Sequence, residues 1–240
     1  MYRENTVQEI EIGVQTYTYR NFDIPGIIKE LDGTSITALE VFVQHLNPDM
    51  PECDVEDALS RLSDAGMRVC GYGVCSFSSE EPAQIDRTLE FAAQIGCDYV
   101  SIDVAPDDAE CKSMLVDRAN DLGLLLGIHN HGPGHRYDTA ESVLDSMRDY
   151  DMVLGACVDT GHFLRCDQGA EEAIEILGER VHAVHLKDFI DEETEVIPGT
   201  GKLDYGAAFA ALEAHTNFDT AFVIEYEADP EDPTPGMCQT

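Results

Sequence analysis

The feature that most constrains the fold is the repeated succession of a short strand pattern and a helical pattern along the whole chain. Residues 153–162 show the strand pattern: Leu154, Ala156 and Val158 share one face, while the opposite face ends in Asp159, because side chains alternate faces along a strand. Strands and helices that alternate with short connections predict a parallel sheet covered by helices.

Eight strands are predicted, at 11–17, 36–42, 67–74, 99–104, 124–131, 153–162, 181–187 and 221–227. Helices are predicted at 24–31, 54–66, 79–93, 139–148, 170–177 and 203–214, with one more after Pro106. An open doubly wound sheet would give its central strands two apolar faces. Here the second face of each strand is small or polar, which favours a closed barrel with its functional groups at the carboxyl ends of the strands. We therefore predict an α/β fold, a single (β/α)8 TIM barrel domain over residues 1–240.

The end of the chain departs from this pattern. After Tyr226 it reads EADPEDPTPGMCQT, with three prolines and no apolar helical period. Since proline interrupts helices, the eighth helix is predicted to be absent or truncated. The barrel wall between strands 8 and 1 must then be covered by another element, by residues outside this sequence or by a partner chain, which leaves a homo-oligomer possible.

The net charge of −34, from 48 acidic and 14 basic residues, argues against nucleic-acid binding, because such a surface repels phosphate backbones. The acidity is spread along the chain and resembles the composition of halophilic proteins. Concentrated salt would screen the self-repulsion, so we expect stability to fall in dilute buffer. A melting temperature that is unchanged between dilute buffer and molar KCl would contradict this expectation.

Composition also limits the cellular compartment in which the protein is expected. A hydrophobic content of 43% is typical of a folded domain, and no apolar run approaches the ~20 residues that span a bilayer. The amino-terminal MYRENTVQEIEIG lacks the apolar core of a secretory signal. The eight cysteines form no CxxC pair, so we expect reduced thiols without a zinc knuckle or a disulfide framework. A cytoplasmic protein that does not enter the membrane is therefore predicted.

The predicted strands 5 to 8 all end in imidazole, carboxylate or ammonium groups. These groups are His129, Asn130 and His131, then Asp159 and His162, then His185 and Lys187, and finally Glu225 and Glu227. Carboxyl ends of neighbouring barrel strands meet at one rim, and a mixture of imidazole and carboxylate suits a divalent ion such as Mn²⁺, Zn²⁺, Co²⁺ or Fe²⁺, with Mg²⁺ a further candidate. The sequence thus predicts a metal centre at this rim.

Each of these residues also has a purely structural explanation. Asp159 can cap a helix, His185 can be hydrogen-bonded in the core, and Glu225 can form an ion pair with Lys187. Separate structural explanations at all four consecutive strand ends are less economical than one shared ion. We therefore prefer the metal centre.

The motifs HNH, VDTGH, HLKD, PGTGKLDY and IEYE, in this order and spacing, resemble those of the xylose-isomerase-like barrels known as sugar phosphate isomerases/epimerases. The resemblance covers nearly the whole chain and implies that Asp159, His185 and Glu225 are metal ligands, with His162 near metal and substrate. Many epimerases of this family carry Glu at the position of His129. We expect His129 to bind the metal, but a proton relay between two glutamates would lack one member.

The mechanism implied by the resemblance is metal-assisted removal of a proton beside a carbonyl group. Glu225 is the candidate base, and His162 is expected to take part. Lys187 would stabilise an oxyanion or hold a substrate phosphate or carboxylate, unless it only pairs with Glu225, Glu227 or Asp103. The residues predicted to contact substrate are His131, Glu40, Asp103 and Lys187.

The leading hypothesis is a metal-dependent isomerase or epimerase of a small carbohydrate: a sugar, a sugar phosphate or a related polyol ketone. A dehydratase of the same fold, similar to 3-dehydroshikimate dehydratase, is the alternative, since both reactions begin with the same proton abstraction. A barrel that binds a ligand without turnover is a third hypothesis. The apurinic endonuclease branch is disfavoured, because the charge is strongly negative and no His follows HLKD as a further ligand.

Overall fold

Eight parallel strands form the centre of the computed structural model, which describes residues 11–237. The strands are β1 (Ile12–Gln15), β2 (Ala38–Val41), β3 (Arg68–Phe77), β4 (Tyr99–Val104), β5 (Leu125–His129), β6 (Leu154–Asp159), β7 (Val181–Leu186) and β8 (Phe222–Ile224). Each strand pairs with its neighbours in sequence, and β8 pairs with β1, so the sheet closes. The predicted TIM barrel is confirmed.

Helices surround the strands. They are α1 (Ile24–Leu31), α2 (Glu52–Asp64), α3 (Pro82–Gln94), α4 (Ala109–Leu122), α5 (Ala140–Met147), α6 (Thr160–Arg165), α7 (Ala170–Leu177), α8 (Tyr205–His215) and α9 (Thr234–Met237). The prediction that Ser79 begins a helix is wrong. Its backbone N–H and its hydroxyl both donate to Asp108 Oδ2, at 2.9 and 3.0 Å, so residue 79 is held in the loop before α3.

The prediction of a truncated eighth helix is confirmed for the part of the chain that the structure describes, where α9 spans four residues up to Met237. The segment that carries it packs across the wall beside β1. Met237 is buried, the Thr234 hydroxyl lies 3.1 Å from the hydroxyl of Tyr19 and 3.0 Å from Glu30 Oε2, and the backbone N–H of Tyr226 donates to Thr18. The chain's own last segment therefore covers this part of the barrel.

The lumen is filled mainly by small side chains. Two separate buried clusters contain them: Ala38, Cys70, Ala221 and Val223 in one, and Cys157 and Ala183 with Tyr99 in the other. The ring of Tyr99 fits because residue 71 is glycine, where a Cβ atom would lie 2.5 Å from Tyr99 Cζ. Close packing of this kind fixes the side chains that lie above it.

Within residues 11–237, no helix is long and apolar enough to cross a membrane. The seven cysteines of this range are free thiols. The amino-terminal residues 1–10 and the last three residues, with Cys238, lie outside the described residues. A single domain over 1–240 therefore stays a prediction.

Candidate active site

Four polar side chains converge at the carboxyl ends of β5, β6, β7 and β8. They are His129, Asp159, His185 and Glu225, and one ligand atom from each lies within 4.8 Å of the others. His129 Nε2 is 3.2 Å from His185 Nδ1 and 3.8 Å from Asp159 Oδ2, while His185 Nδ1 is 3.3 Å from Glu225 Oε2. The four residues predicted as metal ligands thus form one cluster, which we call the ligand cluster.

The two carboxylate oxygens of Asp159 have different roles, one in capping a helix and one in the ligand cluster. Oδ1 accepts the backbone N–H of His162 at 2.8 Å and caps α6, so the strand predicted to run to residue 162 in fact ends at Asp159. Oδ2 is buried and has no hydrogen-bond partner. Burial raises the pKa of this carboxyl to about 7, although Lys187 opposes the shift. A buried polar atom without a partner costs about 1–3 kcal/mol, and a cation would satisfy it.

His185 is oriented by Glu40 on the far side of its ring. His185 Nε2 donates to Glu40 Oε2 at 2.6 Å, which leaves Nδ1 facing the ligand cluster. Glu40 also accepts from Gln15 Nε2 at 2.8 Å, from the Tyr99 hydroxyl at 2.5 Å and from Ser101 Oγ at 2.5 Å. A carboxylate behind a metal-binding histidine is a common arrangement. Glu40, expected at the substrate rim, is fully buried beneath His185.

His129 supplies the second imidazole. Burial lowers its pKa well below the usual value, so the ring is neutral and can offer a lone pair from Nε2, while its buried Nδ1 has no partner. Cys157 also lies near His129 and His185, but burial raises the pKa of the Cys157 thiol to about 12. A protonated thiol is a poor ligand, so the carboxylate-containing cluster is the better cation site.

The protonation of His185 bears on this site. Burial lowers the pKa of His185, but the Glu40 carboxylate beside the ring raises it, and the net shift is upward. A cation at Nδ1 would therefore displace a proton, as metal binding to histidine generally does.

Lys187 is buried among carboxylates. Its Nζ bonds to Glu227, lies 3.3 Å from Glu225 Oε2 and lies 3.8 Å from Asp159 Oδ2. Burial lowers the pKa of Lys187, but these three acids outweigh it and hold the pKa well above its usual value. Burial alone would raise the pKa of Glu225, yet Lys187 and His185 bring it well below the usual value. The ion pair with Glu225 and Glu227 is thus present, whereas none to Asp103 is seen among the described residues.

His162 faces the ligand cluster with a donor group. Its Nε2 is 3.9 Å from Asp159 Oδ2, and its Nδ1 lies 3.2 Å from a terminal nitrogen of Arg165. A guanidinium group only donates hydrogen bonds, so Nδ1 accepts and the neutral ring carries its proton on Nε2. Burial lowers the pKa of His162 to about 2, which keeps the ring neutral. His162 therefore offers an N–H group to the site.

His131 and Asp103 lie at the open edge of the rim. The His131 ring centre is 4.8 Å from that of His129 and 4.2 Å from that of His135. Both oxygens of Asp103 accept hydrogen bonds from Arg136, at 3.0 and 2.5 Å. Although Asp103, His131 and His135 lie close enough to share a cation, the bidentate pair with Arg136 already satisfies the carboxylate.

Sequence reasoning missed Glu195, which the segment after β7 carries to the site. Two short strands, Asp188–Phe189 and Glu195–Val196, form a hairpin there. Glu195 Oε1 accepts the backbone N–H of Glu227 at 3.0 Å. Burial raises the pKa of Glu195 to about 7, with Lys187 acting in the opposite direction. No periodic pattern in the sequence placed Glu195 beside Lys187.

A cavity of about 480 Å³ lies elsewhere, at the amino-terminal ends of β5 to β7, lined by Leu125, Val153, Val181 and Phe218 among others. It does not include any member of the ligand cluster. We locate the site by its chemistry, because TIM barrels carry their functional groups at the opposite end.

A family model described as "Xylose isomerase-like TIM barrel" matches residues 28–237. An inosose dehydratase from Geobacillus kaustophilus is 25% identical over 95% of this chain and 90% of its own length. Among solved structures, the IolI protein with a bound zinc atom is similar, with a TM-score of 0.78 and 14% identity over 95% of each chain. A D-psicose 3-epimerase in the presence of D-fructose has a TM-score of 0.71 and 18% identity over 93% of this chain and 89% of its own.

Proposed function

Because the chain belongs to the xylose isomerase-like TIM barrel family, we propose that it is a divalent-metal-dependent enzyme that removes a proton beside the carbonyl group of a small carbohydrate. The observation that carries the proposal is the ligand cluster, in which two imidazoles and two carboxylates meet around the unpartnered Asp159 Oδ2. This donor set suits Zn²⁺, Mn²⁺, Co²⁺ or Fe²⁺ better than Mg²⁺, which prefers oxygen ligands.

Asp159, His185, Glu225 and His129 would hold the ion. When bound, it would polarise the substrate carbonyl and stabilise the negative charge of an enediolate. Glu225 is ionised at neutral pH because of Lys187 and His185, so it can accept the proton.

Lys187 and His162 would stabilise substrate oxygens. The Lys187 ammonium lies between Glu225 and Glu227, where it can donate to an oxygen that gains negative charge. The Nε2–H of His162 points to the same region. Of the remaining residues predicted to bind substrate, His131 and Asp103 lie at the rim, while Glu40 would act through His185.

Two fates of the enediolate define two candidate reactions. Return of the proton at another position gives an isomerase or epimerase, in keeping with the fold shared with D-psicose 3-epimerase. Loss of a neighbouring hydroxyl group gives a dehydratase, which the similarity to inosose dehydratase over nearly the whole chain favours. The substrate is expected to be a small carbohydrate in both cases. Cytoplasmic location and assembly into a homo-oligomer stay predictions.

The test is substrate turnover in D₂O after loading with Mn²⁺, Co²⁺, Zn²⁺, Fe²⁺ or Mg²⁺ in turn. An inosose, a free ketohexose and a ketose phosphate are the substrates, and NMR follows the products. Deuterium entering a carbon beside the carbonyl without loss of water indicates an isomerase or epimerase; an unsaturated product indicates a dehydratase. Substrate binding without exchange under any metal would contradict the proposal and favour a non-catalytic barrel.

A further inference from the structure

We propose that Glu195, on the hairpin of residues 188–196, is a catalytic carboxyl group that delivers the second proton of the reaction. This inference depends on the proposed function, because it concerns the step that follows proton removal. Dehydration needs a proton on the departing hydroxyl oxygen, and isomerisation needs a proton on the enediolate. A second group besides the base must supply it unless the base serves twice.

The other carboxylates of the site are already engaged. Asp159 and Glu225 belong to the ligand cluster, and Glu40 accepts hydrogen bonds from four side chains. Asp103 is paired with Arg136, and Glu227 is paired with Lys187. Each of these five carboxylates therefore already has a partner or a role: candidate cation ligand, acceptor behind His185, or member of an ion pair.

Glu195 differs from them in its partners. Its Oε1 is held by one backbone N–H, that of Glu227, and no Lys, Arg or His of residues 11–237 forms an ion pair with it. Lys187 is near enough to influence its ionisation, and Glu227 and Glu225 oppose Lys187. Burial raises the pKa of Glu195 to about 7, so this carboxyl exchanges a proton readily near neutral pH.

The hairpin is fixed on both sides, which positions Glu195. Asp188 accepts backbone N–H groups from Gly199, Gly201 and Leu203 at 3.1, 2.8 and 2.9 Å. Arg165 donates to the carbonyl of Glu192 at 2.8 Å, and its guanidinium carbon lies 5.2 Å from the ring centre of Phe189. A group held in this way loses little entropy when it meets substrate.

The proton balance is complete without another reactant. The base takes a proton from carbon, and the electron pair of the broken C–H bond forms the enediolate. In dehydration the C–O bond then breaks, Glu195 gives its proton to the departing oxygen, and water leaves. In isomerisation Glu195 gives its proton to the enediolate instead. The proton taken by the base returns to Glu195 through solvent.

The experiment compares Glu195→Gln with Glu193→Gln in the metal-loaded protein. The first variant keeps the acceptor for the Glu227 N–H but cannot donate an acidic proton, while Glu193 is exposed on the same hairpin. We expect Glu195→Gln to lower kcat about 100-fold or more, with metal content and KM nearly unchanged. Exchange of the substrate C–H with D₂O should continue, because the base is intact. Glu193→Gln should keep wild-type kcat, and Glu195→Asp should restore part of it.

A pH profile separates a catalytic role from a structural one. The charged and titratable groups near enough to act on Glu195, or to feel its charge, are Lys187, which follows β7, and Glu225, Tyr226 and Glu227, which follow β8. Wild-type kcat should fall as pH rises through about 7, where Glu195 loses its proton, and Glu195→Gln should lack this decline. A Glu195→Gln variant with kcat within about threefold of wild type would overturn the inference alone. A wild-type protein without C–H exchange would overturn the proposed function and this inference together.

Discussion

The first half of the barrel, β1 to β4, and the second half, β5 to β8, differ in how the polar groups at the carboxyl ends of their strands are satisfied. In the first half, Gln15, Tyr99 and Ser101 all donate to Glu40, so polar atoms at this end are satisfied by one another. In the second half, Asp159 Oδ2 and His129 Nδ1 are buried without a partner. Unpaired buried polar atoms are destabilising. The comparison teaches that the first half supports the site and the second half is shaped for a ligand.

His185 joins the two halves. Its Nε2 bonds to Glu40 in the first half, and its Nδ1 faces Glu225 and His129 in the second. Disturbing the first half should therefore reduce metal affinity through the orientation of His185. Disturbing the second half should remove a ligand directly and have the larger effect.

Loss of a ligand from the second half should break the site. Asp159→Ala and His185→Ala should each lower the affinity for Zn²⁺ or Mn²⁺ on the order of 10³-fold, since structural metal sites with four ligands gain several kcal/mol from each. Isothermal titration calorimetry measures this change. His215→Ala is the control, because His215 is exposed in α8. Stoichiometric metal uptake by either cluster variant would contradict the ligand assignment.

Loss of the support from the first half should have a smaller effect. Glu40→Gln removes the carboxylate charge behind His185 and should weaken metal affinity about 10- to 100-fold, the usual consequence of losing such a partner. The same titration should show no change in Glu56→Gln, whose side chain is exposed in α2. If Glu40→Gln binds metal as tightly as the wild type, Glu40 does not act through His185.

Overpacking the first half should reduce stability. In Gly71→Ala the new methyl group would lie 2.5 Å from the buried Tyr99 ring, and relief of such a clash costs about 1–3 kcal/mol of unfolding free energy. Urea denaturation measures the cost. Gly206→Ala in α8 is the matched control, since its nearest neighbour would lie at 3.4 Å, and we expect it to be neutral or slightly stabilising. Equal stabilities for the two variants would show that Tyr99 is not tightly packed.

Salt should raise the stability of the whole protein by screening its surface charge. The size of this effect should not depend on whether the ligand cluster is intact. With a net charge of −34, raising KCl to 1 M should stabilise the protein by about 1 kcal/mol and raise Tm by roughly 2–4 °C. Asp159→Ala should show the same rise in differential scanning calorimetry, because the screened repulsion is distributed over the surface. A flat salt response in both proteins would refute the expectation of salt-dependent stability.

The alternation of small and apolar residues was enough to predict the barrel and the four converging strand ends. It could not decide whether the polar residues at these strand ends have a structural or a functional role, and the structure shows that some of them have both. Asp159 caps α6 with one oxygen and offers the other to the site, and His185 likewise divides its two nitrogens. A side chain with two polar atoms can serve both purposes.

The residues that sequence reasoning missed make contacts that no local pattern encodes. Glu195 meets Glu227 across 32 positions, and Arg136 meets Asp103 across 33. Helix α6 was overlooked because six residues are too few to show an apolar period. The burial of Glu40 follows from the closure of the barrel, which brings β2 and β7 to opposite sides of one small lumen.

X-ray absorption spectroscopy of the protein loaded with one equivalent of Zn²⁺ tests the central claim most directly. The ligand cluster predicts two imidazole nitrogens and carboxylate oxygens at about 2.0–2.2 Å, with no sulfur. A sulfur neighbour at about 2.3 Å would mean that Cys157 replaces the carboxylates. A spectrum without imidazole would place the ion away from His129 and His185, and either result would contradict the account.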